Sequence, residues 1–381
     1  MIDTIALTLK AGHFHIMWPQ LFVPHAGSLL ANFNAGKESV VQNATKADYI
    51  AGKYKPKLTL TRRGSKITLR VECSVPKLVY GNNFDELCDA DLPLVVTRLV
   101  AILDEMGVTV SRYDLLSCDV SAIHYSKNCV LEEHTSCSMV LSEIDKYSEK
   151  GRLDKSQKEY RNDGSLLRYH ANSHEFVIYD KVADLKQAKL SEKRAIEKEN
   201  LLQISLLDIL EKEIGRSVLR LELRLNNRAK MRQMLQRLNL NSEDMTLKRL
   251  FSADLAKTML TSFWKDTTKH IPNYVIGAAD DPIKTCEKLR SANPNMQAQR
   301  FLAAFASVWL IHQCGMDKAR SMLNLSGAKG SRAWSQLKQI VAQLTPPSSR
   351  YFYPTKAVDE QLKSFNALRL EDFRNKYYSQ L

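Results

Sequence analysis

The chain has 381 residues, 44% of them apolar, which is enough for a full core and for two domains. Its formal charge of +13 suits a polyanionic partner, nucleic acid before membrane. Seven cysteines, odd in number and without a Cys-x-x-Cys pair, argue against a disulfide framework or a cysteine zinc site and fit a reducing cytoplasm. No apolar run reaches membrane-spanning length, and the start Met1-Ile2-Asp3-Thr4 lacks a signal-peptide pattern.

Residues 1–80 read as strands: Thr4 to Lys10 alternates, and Leu58–Thr61 and Ile67–Val75 form a hairpin about Arg63-Gly64-Ser65. Residues 92–106 read as a helix, with Pro93 in its first turn and Gly107 after its end. Leu115 to Tyr125 is predicted as a strand and 130–149 as a helix. A second hairpin, 166–171 with 175–180, turns at Asn172-Ser173. A charged helix carrying Lys186, Lys189, Lys193, Arg194 and Lys198 is predicted over 182–213. In Val218–Leu225 the leucines share one strand face, while Arg220, Glu222 and Arg224 share the other. After about residue 236 the chain reads as helices to 345, broken near Ile271-Pro272-Asn273 and Ala292-Asn293-Pro294 and stopped by Pro346-Pro347. The domain boundary is placed near 240, giving a 1–240 unit and a helical 241–381 unit with an aromatic tail from 350.

Within 175–184, Tyr179 and Lys181 are two residues apart on a strand-like run and so point the same way. A free phenol has a pKa of about 10, and a neighbouring ammonium favours the phenolate, the nucleophile that attack on phosphate requires.

Several segments together resemble one family. Val71-Glu-Cys-Ser-Val-Pro-Lys-Leu-Val-Tyr-Gly-Asn-Asn-Phe84, followed by Asp91-Leu92, is similar to a Val-Glu…Ser-Pro-Ala-Lys-Val-Leu-x-Gly-x-Asn-x-Phe segment of the filamentous-phage gene II replication initiators. The Met1-Ile2-Asp3 start is similar too. Cys118-Asp119-Val120 stands where that family has Arg-Ile-Asp, and Val177-Ile178-Tyr179-Asp180-Lys181 resembles the block holding its nucleophilic tyrosine. Val218–Arg224 resembles its Val-Arg-Phe-Glu-Ala-Arg strand. Order and spacing agree over 1–240; beyond, only Gly315-Met-Asp317 and Trp334 look alike. Two departures stand out. Ser117 or Cys118 replaces the family's arginine, and the proline–lysine segment is one residue shorter.

The resemblance implies an α+β catalytic domain on an antiparallel sheet, followed by a helical domain. It also implies rolling-circle initiation in a bacterial cytoplasm: Tyr179 opens one origin strand, keeps the 5′ phosphate as an ester and frees a 3′ hydroxyl primer. One phosphodiester replaces another, so no nucleotide is spent. No Gly-x-x-x-x-Gly-Lys-Ser/Thr loop is present, so unwinding falls to a host helicase and synthesis to a host polymerase. Charge at the phosphate calls for Mg²⁺ or Mn²⁺ held by carboxylates, with Asp119 and Glu222 expected as ligands and Glu72 as a third. Arg220 and Arg224 either clamp phosphate or pair with Glu222, and Lys77 is a further expected phosphate contact.

Other residues compete for these roles. His13-Phe14-His15 matches the His-hydrophobic-His signature of the wider HUH endonucleases, but it lies outside the matched segments. His124, five residues after Asp119, is placed on the opposite strand face, and Tyr169 is a possible second nucleophile. Met316 to Ala342 has helix–turn–helix proportions, with Arg332 and Lys338 as candidate DNA contacts and Trp334 either there or in the core. A relaxase or transposase of the same chemistry is the rival enzyme; a non-catalytic origin-binding repressor is the rival of another class.

Overall fold

The computed structural model describes residues 1–31, 37–133, 135–148, 157–161, 164–171, 173–189, 217–271, 280–345, 347 and 354–372. The strands are β1 (Ile2–Lys10), β2 (His15–Ile16), β3 (Lys37–Gln42), β4 (Lys57–Arg63), β5 (Lys66–Ser74), β6 (Val108–Thr109), β7 (Asp119–Val130), β8 (Gln157–Arg161), β9 (Leu166–Ala171), β10 (His174–Asp180) and β11 (Val218–Leu225). Nine of them form one sheet in the order β3-β4-β5-β1-β7-β11-β10-β9-β8; β2 and β6 pair separately. Every neighbouring pair runs antiparallel. This sheet followed by helices is the expected α+β architecture.

Strand alternation fixes the two faces. Leu7, Leu9, Leu58, Leu60, Leu69, Val71, Leu219, Leu221 and Leu223 are buried on one face, where helices cover them. The helix Leu92–Glu105 forms as expected, buried through Val95, Val96, Leu99 and Leu103. Gly107 ends it at φ 73, where a Cβ would meet Trp18 at 2.7 Å. The β4–β5 hairpin turns at Gly64-Ser65, with Arg63 opposite Lys66 and Gly64 at φ 59.

The 1–80 stretch read as strands also holds the short helices Ala26–Ala31, Lys46–Ile50 and Val75–Tyr80, and further boundaries differ from the sequence reading. The strand expected from Leu115 starts at Asp119 and runs to Val130, because Ser111 Oγ accepts the Asp114 N–H and starts a helix over Arg112–Ser117. The helix expected over 130–149 is confined to Cys137–Tyr147 by the Ser136 cap. Lys181 opens the helix Lys181–Lys189 rather than ending a strand; residues 190–213 of the expected long helix lie outside the described residues, as do Asn172, Pro272-Asn273 and tail residues 350–353 and 373–381.

The main apolar cluster runs across residue 240. Helices Leu247–Leu250 and Ala253–Thr268 bury Leu247, Leu250, Leu255, Met259, Phe263 and Trp264 in the same cluster as the sheet leucines. Phe263 meets Phe176 of β10 with ring centroids 5.6 Å apart. Helices Pro282–Ala292, Ala298–Cys314, Met316–Met322 and Gly327–Val341 build two smaller clusters. The helix Lys356–Ser364 returns to the sheet, where Gln361 bonds both the N–H and the C=O of Val130. No helix among the described residues is long and apolar enough to cross a membrane.

Candidate active site

The polar face of β11 is buried where it meets β7 and β10. Glu222 lies opposite Ser126 of β7 and Val177 of β10; Arg220 lies opposite Asn128 and Tyr179. Arg220 and Glu222 are 2% and 3% exposed, so their charges need partners. Arg220 donates from Nη2 to Asp3 Oδ1 (2.5 Å) and Ser126 Oγ (3.0 Å), and from Nη1 to Asn128 Oδ1 (3.1 Å) and the Asn83 carbonyl (2.9 Å). Glu222 accepts from Arg224 Nε at 2.8 Å. Arg224 also reaches Glu175 (3.2 Å), which Arg168 holds from the other side (2.6 Å).

Tyr179 projects into this group. Its hydroxyl donates to Glu222 Oε2 at 3.3 Å. Burial pushes the phenol well above 10 and Glu222 adds to the rise, while Arg220 opposes both. Burial would also raise the Glu222 carboxyl, but Arg224, Arg220 and His124 outweigh it and bring it down to about 2. Lys181, fully buried at the start of its helix, donates to Asn83 Oδ1 at 3.0 Å and sits 6.0 Å from the Tyr179 ring centroid. Burial, then Arg220, lower its ammonium to about 8. The expected closeness of Tyr179 and Lys181 therefore arises at a strand–helix junction.

Asp3, His124 and Glu222 bring one ligand atom each to within 4.8 Å of one another. Two β-bulges make this possible. The β1–β7 register shifts between Ile2↔Tyr125 and Thr4↔His124, leaving Asp3 as the extra residue. It shifts again between Ala6↔Ala122 and Leu7↔Val120, leaving Ser121 as the extra residue. The second bulge corrects the reading that set His124 on the face opposite Asp119: both lie on the polar face. They stay apart nonetheless. Asp119 pairs with Thr8 and His124 with Thr4, four residues along β1, or about 13 Å.

Asp119 is instead held by Arg228 Nη1 (2.7 Å) and Lys10 (3.7 Å). Glu72, opposite Ala6, pairs with Arg70 at 3.0 Å. Of the three expected carboxylates, the structure brings only Glu222 to Tyr179. Asp3, from the Met1-Ile2-Asp3 start, lies beside Glu222 instead. Lys77 lies in the helix Val75–Tyr80 after β5. Tyr169 occupies the apolar face, buried and bonded to Ser148 Oγ at 2.5 Å. His13 pairs with Asp114 at 2.6 Å and His15 lies in β2 opposite Thr109, so the two do not share a strand. Trp334 is buried with Tyr147, Ile311 and Met316, while Arg332 is exposed and Lys338 half-buried on the same helix.

Two carboxylates and one imidazole make a donor set that could hold a divalent cation. His124 Nε2 lies 3.2 Å from Asn226 Oδ1 and Nδ1 lies 3.6 Å from Glu222 Oε1. A proton on Nε2 would satisfy Asn226 and leave Nδ1 free as a ligand, the outer-shell arrangement common for metal-binding histidines.

Comparison with curated proteins and with solved structures gives no match. The family model for the N-terminal part of the replication-associated gene II protein matches residues 1–247, which contain all the residues of the Tyr179 group. The chain belongs to the filamentous-phage gene II family of replication initiators.

Proposed function

We propose that this replication-associated protein opens one strand of origin DNA by attack of Tyr179 on a phosphodiester. The observation that carries the reading is the Tyr179 hydroxyl 3.3 Å from Glu222, inside a carboxylate–imidazole group on the polar sheet face. Asp3, His124 and Glu222 would hold the cation. Such a cation supplies positive charge where the phosphate gains negative charge.

The chain's own groups perform the rest. Glu222 Oε2 accepts the phenolic hydrogen bond and so aims the oxygen. The Tyr179 oxygen–phosphorus bond forms as the phenol gives up its proton, the phosphorus–O3′ bond breaks, and the 3′ oxygen takes up one proton, so that protons balance over the step. The 5′ phosphate stays on Tyr179 until a 3′ hydroxyl attacks in reverse and closes a circle. Lys181 supplies a cation beside the ring, one that gives up its proton near pH 8. The two-helix element Met316–Val341 contacts duplex DNA through Arg332 and Lys338. Host helicase and polymerase supply unwinding and synthesis.

Supercoiled plasmid carrying the cognate origin, incubated with protein and Mg²⁺, should yield nicked circles with protein on the 5′ end. Tyr179→Phe should bind the origin and form no adduct. An adduct in that variant, mapped to another residue, would overturn the assignment.

A further inference from the structure

The strand-opening reading leaves one half-buried contact unexplained. The loop 82–86 meets the two cations beside Tyr179 through Asn83. Its side-chain oxygen accepts Lys181 Nζ (3.0 Å) and its backbone carbonyl accepts Arg220 Nη1 (2.9 Å). Lys181 opens a helix outside the sheet, and Arg220, already bonded to Asp3, Ser126 and Asn128 of the neighbouring strands, takes a fourth bond from this loop.

Two things hold the loop. Inside, Asn82 Oδ1 accepts the N–H groups of Phe84 and Asp85, both at 2.9 Å. Asn128 Nδ2 bonds the Phe84 carbonyl at 2.7 Å, and Glu86 pairs with buried Lys127 at 2.6 Å. Burial would raise the Glu86 carboxyl, but Lys127 and the buried amino terminus bring it below its ordinary value.

Outside, residues 365–372 lie against the loop, bonded to it by backbone and side chain. Glu86 N–H bonds Leu368 O (3.0 Å), Leu368 N–H bonds Glu86 Oε2 (2.9 Å) and Leu370 N–H bonds Asp85 Oδ1 (2.7 Å). Arg369 bonds Tyr80 Oη (2.9 Å) and Asp91 Oδ2 (3.2 Å), its guanidinium 5.2 Å from the Tyr80 ring centroid. Leu368 and Leu370 pack on Phe84, Leu185 and Val218, so they touch the helix that Lys181 opens and the strand that carries Arg220. The helix Lys356–Ser364 anchors this segment through Gln361 on Val130.

We infer that residues 356–372, more than a hundred positions beyond the family match, form a positioning strap for the nicking site, acting through Asn83 on Lys181 and Arg220. The inference deepens the proposed function and rests on it for its kinetic test alone. Asn83 and Arg369 are positioning residues. Neither is placed to touch the phosphate.

The experiment uses the full chain with Asn83→Ala, Arg369→Ala, Arg369→Lys and the Asn83→Ala/Arg369→Ala pair. The first readout needs no activity: Lys181 acylation by an amine-reactive ester, followed by mass spectrometry. Lys181 is protected in the parent chain, and Arg369→Ala and Asn83→Ala should each raise its labelling rate about tenfold or more, the size of a lost buried bond. The second readout is single-turnover adduct formation on a single-stranded oligonucleotide spanning the mapped nick. Both single variants should slow it by about tenfold while changing the oligonucleotide Kd less than about twofold.

If the strap acts through Asn83, the double variant is no slower than Asn83→Ala alone, and Arg369→Lys recovers part of the loss. Additive losses, or unchanged Lys181 labelling in Arg369→Ala, would overturn the strap. A parent chain that makes no Tyr179 adduct would instead sink the nicking reading, and the labelling result would still decide the strap.

Discussion

Lys181→Met should make the protein more stable and inactive at once. The Lys181 ammonium is fully buried, and its folded pKa of about 8 stands against an ordinary 10.5, so the protonated form is disfavoured by folding. A difference of about 2.5 pH units at ~1.4 kcal/mol per unit is a cost of about 3 kcal/mol. The sign follows from proton counts. Below pH 8 the residue is charged in both states and the cost is fully present. Between 8 and 10.5 the unfolded chain binds more protons than the native one, so stability rises with pH and the cost disappears. Methionine keeps the stem volume and carries no charge, so the variant should gain up to about 3 kcal/mol at pH 7 and almost nothing by pH 10.5. Guanidinium unfolding of both proteins at pH 7, 8.5 and 10 measures the difference, and adduct formation measures the loss of function. A variant less stable at pH 7, or a gain that stays flat with pH, would refute the account of Lys181. Such a pairing, stability gained where activity is lost, is expected of a strained site rather than a scaffold residue.

Further outcomes follow from the same geometry. Asp3→Asn and His124→Ala should each raise the Mn²⁺ concentration needed for half-maximal adduct formation by about tenfold or more, whereas Asp119→Ala should leave that titration unchanged. The reverse pattern would return the metal to Asp119. Arg332→Ala with Lys338→Ala should weaken duplex-origin binding and lower the slope of log affinity against log salt by up to about 0.9 per lost phosphate contact. Cleavage of a single-stranded oligonucleotide should be unaffected. A chain cut at residue 240 strips Leu255, Met259, Phe263 and Trp264 from the main core. At roughly 1.5–3 kcal/mol per buried side chain this approaches the whole stability of a domain, so the fragment should bind a hydrophobic dye and aggregate. A soluble fragment with the parent's near-ultraviolet circular dichroism would contradict that reckoning.

The sequence carried the sheet well where alternation is unbroken and poorly where one residue is inserted. Val218–Leu225 alternates without fault, and the structure places Arg220, Glu222 and Arg224 on one face as expected. Asp119 and His124 are five apart, and a strict two-residue period sets them on opposite faces. Ser121, whose hydroxyl bonds the Ala6 carbonyl at 3.0 Å, absorbs the extra residue and returns both to the same face. No propensity marks that serine as a bulge, because the pairing partner that creates it lies more than a hundred residues away. Asp3 was legible only as part of a family-like start, since a bulge re-aims it too.

The limits of local pattern are sharpest at Asn83. In the sequence it is one polar residue in a Gly-Asn-Asn turn. In the fold it joins a strand arginine and a helix-opening lysine, while its loop neighbours Asp85 and Glu86 bond the 356–372 strap. Each of those contacts spans about a hundred residues or more, so only the assembled sheet brings them together. The loop could be recognised as similar to the family's; its work could not. The same physics explains why the family match and the core disagree about where the working unit stops. The match follows the strands that carry the Tyr179 group to 247, whereas the burial that makes those strands a stable sheet is completed by residues 253–268 and 356–372.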